Sequence, residues 1–282
     1  EGNATITLKI EINGKVSSLV ASKRVIVKSE FVIEGTTLVA YKGMGGDVVI
    51  PDDEGILYIG SFAFSLYTND YTIELPEGDY DAGKTPASNN TVTSVTIPYE
   101  VMEVQKYAFY NCTALEKVEF LTNDKNESCK IIREFAFAND EKLTDINLDN
   151  INMIGHYAFM NCKSLVDANI SKVFAIGDRA FMNCEKLAYA DITNLRNCGV
   201  EAFANCKALT RIDNGRYTNF SEGMFKNSGL KELKFEADRI PANCFANCKQ
   251  LTYVEIKNTL VYVGTNAFNN CNSLVSISIP KG

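Results

Sequence analysis

Apolar residues recur along this chain with two superposed periods. Within short segments they alternate with polar residues, as in Leu165-x-x-Ala168-x-Ile170 and Leu274-x-x-Ile277-x-Ile279, the pattern of a strand with one buried face. Across the chain that segment returns about every 22 residues, in step with Phe64, Phe109, Phe137, Phe159, Phe181, Phe203, Phe225, Phe245 and Phe268. An asparagine stands two residues after the phenylalanine at Asn111, Asn139, Asn161, Asn183, Asn205, Asn227, Asn247 and Asn270. A cysteine follows it at Cys112, Cys162, Cys184, Cys206, Cys248 and Cys271. Upstream of the phenylalanine an apolar residue usually precedes glycine, as in Ile59–Gly60, Ile154–Gly155, Ile176–Gly177 and Val263–Gly264.

A unit this small cannot bury a hydrophobic face alone, so neighbouring units must stack and share one core. The pattern therefore predicts an elongated solenoid. Its L-x-x-[IV]-x-[IV] segments should line one side as a parallel sheet. The return path IGxxAFxNC should make a tight turn and a single helical turn, with Phe and Cys pointing inward. About ten coils are expected over residues 46–282. Pro76 and Pro98 each close an apolar triplet one period apart, which predicts a coil over 77–98 whose back side, at 77–90, is degenerate. The segment LTNDKNES, at 121–128, reads as a loop insertion at a coil corner.

Residues 1–45 depart from this frame. Ile6, Leu8, Ile10 and Ile12 alternate, Asn13–Gly14 is a hairpin-turn pair, and Phe31–Ile33 can pair with Leu38–Tyr41 around Glu34–Thr37. This predicts an N-terminal β-cap over the open end of the first coil.

The run I-G-x-x-A-F-x-N-C-x-x-L-x-x-I-x-I resembles the treponemal-type, BspA-like branch of the leucine-rich repeats over roughly residues 45–280. The opening FVIEGTTLVAYKGMGGDVVIP resembles the starter module that precedes such arrays. The resemblance implies an α/β-type leucine-rich repeat solenoid with a parallel β-sheet on one face and tight turns and single helical turns on the other. It also implies a secreted or surface-attached bacterial protein, adhesin-like, with no catalytic residues and no ligand common to the family. Asp140 and Ser228 stand where the pattern has Cys, Asn214 and Phe220 where it has Ile, and Pro241 where it has Gly. Weaker local packing is expected at these five positions.

Composition narrows the partners. A formal charge of −7 argues against nucleic acid and anionic membrane surfaces. No apolar run approaches the ~20 residues of a membrane span, so no membrane insertion is expected in this segment. With the surface resemblance, a secretion signal is expected before residue 1, and further sequence after residue 282.

The chemistry-bearing residues fit the repeat frame better than any site. All nine cysteines fall on inward positions, including Cys129, Cys198 and Cys244 outside the AFxNC motif, and are expected to be free, buried thiols. Cys244 and Cys248 have no second pair for a metal, and the single histidine, His156, occupies a variable position expected to face solvent. GMGG at 43–46 runs into a strand, so it cannot cradle a phosphate at a helix N-terminus. No catalytic residue, metal or cofactor is expected. The recurring asparagines should form a ladder that satisfies turn backbone groups.

Function then rests on the surface. Between the apolar positions of each strand, one outward column holds Asp145, Asp167, Tyr189, Arg211 and Tyr253, and the next holds Asn147, Asn169, Asp191 and Asp213. These nine residues are the candidate ligand-binding set, directed at a protein or glycan of a host surface or matrix. The competing expectation is a structural spacer whose surface residues are interchangeable from coil to coil.

Overall fold

A computed structural model describes residues 6–12, 15–21, 30–65, 88–123, 129–214 and 219–280. The Asn13–Gly14 turn, most of the degenerate segment and the insertion from residue 124 to 128 lie outside the described residues.

The core is a single column of phenylalanine rings. Phe64 lies 4.5 Å from Phe109, and the steps through Phe137, Phe159, Phe181, Phe203, Phe225, Phe245 and Phe268 run from 4.9 to 5.9 Å between centroids. Around it pack the inward aliphatics, among them Leu115, Val118, Leu143, Leu165, Leu187 and Leu209, all essentially inaccessible. One coil cannot enclose such a ring; its neighbours above and below do.

The corner that carries AFxNC is not a helical turn, contrary to the expectation from its length. Two residues in each corner have left-handed φ: Tyr157 at 59° and Asn161 at 64°, Arg179 at 54° and Asn183 at 64°, Glu201 at 54° and Asn205 at 63°. A left-handed residue reverses the chain and stops helix propagation. The backbone N–H groups alternate in consequence. Those of Tyr157, Phe159 and Asn161 donate to Asp178, Ala180 and Met182 of the next coil, whereas those of Met160 and Cys162 donate within the corner, to Tyr157 and Phe159. No helix occurs among the described residues.

The sheet arrangement also differs from the simple expectation. The longest sheet is built by the short strands that precede or include the Ile-Gly position. In order these are Asn197–Cys198, Ala175–Ile176, Met153–Ile154, Ile131–Ile132, Glu103–Val104, Tyr58–Ile59, Thr37–Tyr41 and Phe31–Glu34. Phe31–Glu34 pairs antiparallel with Thr37–Tyr41, and the remaining pairs are parallel. The L-x-x-[IV]-x-[IV] strands instead form three separate sheets. One contains Asp145–Ile146, Lys117–Phe120, Val92–Ile97 and Gly46–Val49, the second Tyr189–Asp191 and Arg211–Asp213, and the third Glu232–Phe235, Tyr253–Ile256 and Ser276–Ser278. The first break falls at Asp167-Ala168-Asn169, three poor strand formers in a row. A separate pair, Ile6–Ile12 with Lys15–Ala21, is antiparallel.

The coil expected over 77–98 is not interposed. Gly46–Val49 pairs directly with Val92–Ile97, and Phe64 stacks directly on Phe109, which leaves no room for another coil between them. Val92–Ile97 is thus the strand of the Phe109 coil. Of the five departures, Phe220 fills its place rather than loosening it: its ring meets Phe235 edge-on at 4.9 Å and Phe245 at 5.3 Å.

Candidate functional site

The outward columns of the strand face resolve into three kinds of position. The first is a cluster on the sheet formed by Tyr189–Asp191 and Arg211–Asp213, where parallel register sets Tyr189 beside Arg211 and Asp191 beside Asp213. The Tyr189 hydroxyl donates to Asp213 Oδ2 at 2.5 Å. The Arg211 guanidinium, 5.0 Å above the Tyr189 ring, donates to both oxygens of the same carboxylate, at 3.2 and 2.8 Å through one nitrogen. Strand alternation is the cause: residues two apart share a face, so Arg211 and Asp213 lie side by side, and the register adds Tyr189.

The electrostatics follow. The Arg211 hydrogen bond, helped by the Tyr189 hydroxyl, holds the Asp213 carboxyl below its usual range. Tyr189 is pushed up to about 12 by partial burial and by donating to that carboxylate. The cluster is a fixed, partly exposed patch with an aromatic body, a cation and an anion.

The second kind is structural. Asn147, Asn169 and Asp191 occupy one column, and each side chain accepts the backbone N–H two residues on, from Asp149 at 2.9 Å, Ser171 at 3.4 Å and Thr193 at 3.0 Å. Asn169 also bonds Asp149 across coils. These are turn caps that end each strand segment. The third kind is dispersed: Asp145 lies beside Lys117, Asp167 is exposed in the coil without a strand, and Tyr253 sits between Glu232 and Ser276 in a different sheet. The nine candidates therefore do not form one surface; Tyr189, Arg211 and Asp213 do.

Inside the array the predicted ladder is present. Asn161 donates to Asn139, Asn183 to Asn161, and Asn205 to Asn183, each at 2.7 Å, and Asn227 to Asn205 at 2.6 Å. All nine cysteines are free; Cys198 is half-buried and the others are buried. Asp140, in the cysteine position of its coil, is fully buried. Its Oδ1 accepts the Cys112 N–H at 2.7 Å, its Oδ2 meets no donor, and desolvation raises its pKa well above the carboxylate value.

The outer face of the longest sheet carries a feature that the sequence reading passed over. A shallow groove of about 310 Å³ crosses four coils, lined by Ile131, Met153, Ala175, Asn197, His156 and Asp178. His156 is exposed, as expected, and it also takes part in the sheet: its Nδ1 accepts the Asp178 N–H at 3.0 Å, and Asp178 Oδ1 in turn accepts the Val200 N–H at 2.8 Å. The signal available was the repeated x-Ile-Gly-x, in which the first x must point outward.

The family profile described as "BspA type Leucine rich repeat region" matches in six copies, over residues 46–129, 130–239 and 238–282. The chain belongs to this family. No curated protein gives a match. Among solved structures, the pneumococcal vaccine antigen PcpA is 17% identical, with 97% of this chain and 78% of that chain covered at a TM-score of 0.50. A leucine rich cell surface protein from Faecalibacterium prausnitzii A2-165 is 24% identical over 88% of this chain and 74% of that chain, with a TM-score of 0.47. The leucine-rich repeat protein of T. pallidum is 18% identical over 85% and 82%, with a TM-score of 0.42. Among the described residues of this BspA-type array no helix is long and apolar enough to cross a membrane.

Proposed function

We propose that this BspA-type array is an adhesin-like recognition scaffold of a bacterial cell surface, binding a protein or glycan on the strand face around Tyr189, Arg211 and Asp213. Solenoids of this kind typically serve as interaction scaffolds rather than enzymes. The observation that carries the reading is the Tyr189–Arg211–Asp213 patch itself. Tyrosine and arginine dominate the energetics of interfaces, and side chains already held by one another lose little freedom on binding. No other described coil pair places these three residue types together on the face. Asp145, Asp167 and Tyr253 lie apart from the patch and are not part of the proposed site.

A second reading, a structural spacer, is favoured by the turn-capping roles of Asn147, Asn169 and Asp191, which explain those polar residues without a ligand. A screen of the protein against extracellular-matrix proteins, host-surface proteins and glycans separates the two. For a partner found there, Arg211→Ala and Tyr189→Ala should each weaken binding about tenfold or more, equivalent to about 1.4 kcal/mol. Unchanged affinity in both variants would move the site elsewhere, and a screen with no partner would favour the spacer.

A further inference from the structure

The residues that follow the ladder asparagines form a second internal column, one per coil. In it each thiol donates to a phenylalanine carbonyl one coil before: Cys162 to Phe137 at 3.1 Å, Cys184 to Phe159 at 3.2 Å, Cys206 to Phe181 at 3.2 Å, Cys248 to Phe225 at 3.2 Å and Cys271 to Phe245 at 3.1 Å. A uniform column would give every thiol equal neighbours above and below, and hence no preferred partner. This column is not uniform. Asp140 separates Cys112 from Cys162, and Ser228 separates Cys206 from Cys248. The interruptions leave a single thiol, Cys112, a trio, Cys162, Cys184 and Cys206, and one pair, Cys248 and Cys271.

The pair differs from the trio in access. Five residues after each cysteine, Tyr253 and Ser276 are direct parallel partners, which sets the two cysteines opposite each other at the spacing of adjacent strands, as the Tyr189–Arg211 pairing does for Cys184 and Cys206 within the trio. That spacing, about 4.8 Å, falls within the Cα window of a disulfide, about 4.4–6.8 Å. Cys271 is 9% exposed, whereas the trio is wholly enclosed at 0%.

We propose that Cys248 and Cys271 are a redox-active dithiol, a modification site that a small disulfide of the glutathione class converts into an intercoil disulfide. The Cys271 thiolate attacks one sulfur of the reagent, forming a mixed disulfide and releasing the first thiolate. Cys248 then loses its proton to that thiolate, attacks the Cys271 sulfur and releases the second. The two cysteines give up two electrons and two protons, and the reagent, reduced to two thiols, takes both. Cys271 is the attacking group because a reagent can reach it, whereas Cys248 is wholly enclosed and acts second.

The test treats the native protein with 4,4′-dithiodipyridine and follows thiopyridone release, then maps cross-linked peptides in a non-reducing digest. The fast phase should release two equivalents, lower the protein mass by two hydrogen atoms and join the peptides of Cys248 and Cys271. Cys248→Ser should release one equivalent and retain the mixed disulfide on Cys271, and Cys271→Ser should lose the fast phase. Should either variant fail to fold, the wild-type digest decides alone. A mixed disulfide that persists on wild-type Cys271, a cross-link within the trio, or no release from native protein would each overturn the proposal.

Discussion

The rings of Phe181 and Phe203 lie 5.3 Å apart and only 1° from parallel, and Phe159 lies 5.1 Å away on the other side of Phe181. Phe181 therefore has an aromatic neighbour on each face, so removing it opens a hole that two coils must share. Phe181→Ala should cost about 3–5 kcal/mol in denaturant unfolding. Lys186→Ala, at an exposed position of the same coil, should change stability by less than about 0.5 kcal/mol. Similar losses in the two variants would contradict the register described here.

Asp140 supplies a prediction in pH. Its folded pKa is raised above the unfolded value. Below the ordinary carboxylate range both states hold the proton and the group makes no pH-dependent contribution; above it the unfolded state releases the proton while the folded state keeps it. Stability is therefore lost as pH rises, by up to about 1.4 kcal/mol per pH unit until the folded group also ionises. Asp140→Cys, which restores the residue of the repeat, should stabilise the protein at pH 7 by about 1–3 kcal/mol. That gain should shrink as pH falls toward 4, leaving only the part due to the unpaired Oδ2. A gain that is constant with pH would show that packing, not the proton, is responsible.

The asparagine ladder separates a backbone contribution from a hydrogen-bond contribution. Asn183 has φ of 64°, donates to Asn161 and accepts from Asn205. Asn183→Ala loses both bonds and places an alanine in the left-handed region, so a loss of about 2–4 kcal/mol is expected. Asn183→Gly loses the same bonds without the steric cost and should recover about 1 kcal/mol of it. Calorimetric melting of the two variants measures the difference directly.

On the strand face, Asp213 is bound by Arg211 and Tyr189 rather than repelled by Asp191 opposite. Its depressed pKa contributes stability that is present above the ordinary carboxylate value and is lost as pH falls through the folded pKa. The patch is partly exposed and screened, so Asp213→Asn should destabilise only slightly, by less than about 1 kcal/mol at neutral pH. The clearer signal is spectroscopic. Tyr189 ionisation, followed by phenolate absorbance, should move from about 12 toward the ordinary 10 when Asp213 becomes Asn. An unmoved phenol titration would place the cause in burial alone.

Much of this architecture is legible in the sequence because a repeat writes each inward position many times. The column from Phe64 to Phe268, the amide ladder and the buried thiols all follow from counting offsets. The corner conformation does not, since AFMNC is compatible with a helical turn until the φ values of Tyr157 and Asn161 are known. Nor does the fate of residues 77–98: Pro76 and Pro98 carry the period, yet the pairing of Gly46–Val49 with Val92–Ile97 closes the gap between coils. At the candidate site, alternation correctly places Tyr189, Arg211 and Asp213 outward. It cannot distinguish them from Asn147, Asn169 and Asp191, because pointing outward and capping a turn leave the same mark on a single sequence.

The coil between Asp213 and Glu232 has a mechanical consequence. Among the described residues, strand pairing is interrupted there on both sides of the array. Arg211–Asp213 is not strand-paired with Glu232–Phe235, and the long sheet stops at Asn197–Cys198, with pairing resumed only between Arg239–Ile240 and Tyr262–Val263. Across the gap run the corner bonds from Phe203 to Met224 and from Asn205 to Lys226, the Asn227–Asn205 amide bond and the stacked rings of Phe203 and Phe225. A bending load on the ends of the molecule concentrates at this joint, with the corner as its pin. A ligand gripping Arg211 on one side and Tyr253 on the other would have to splint it.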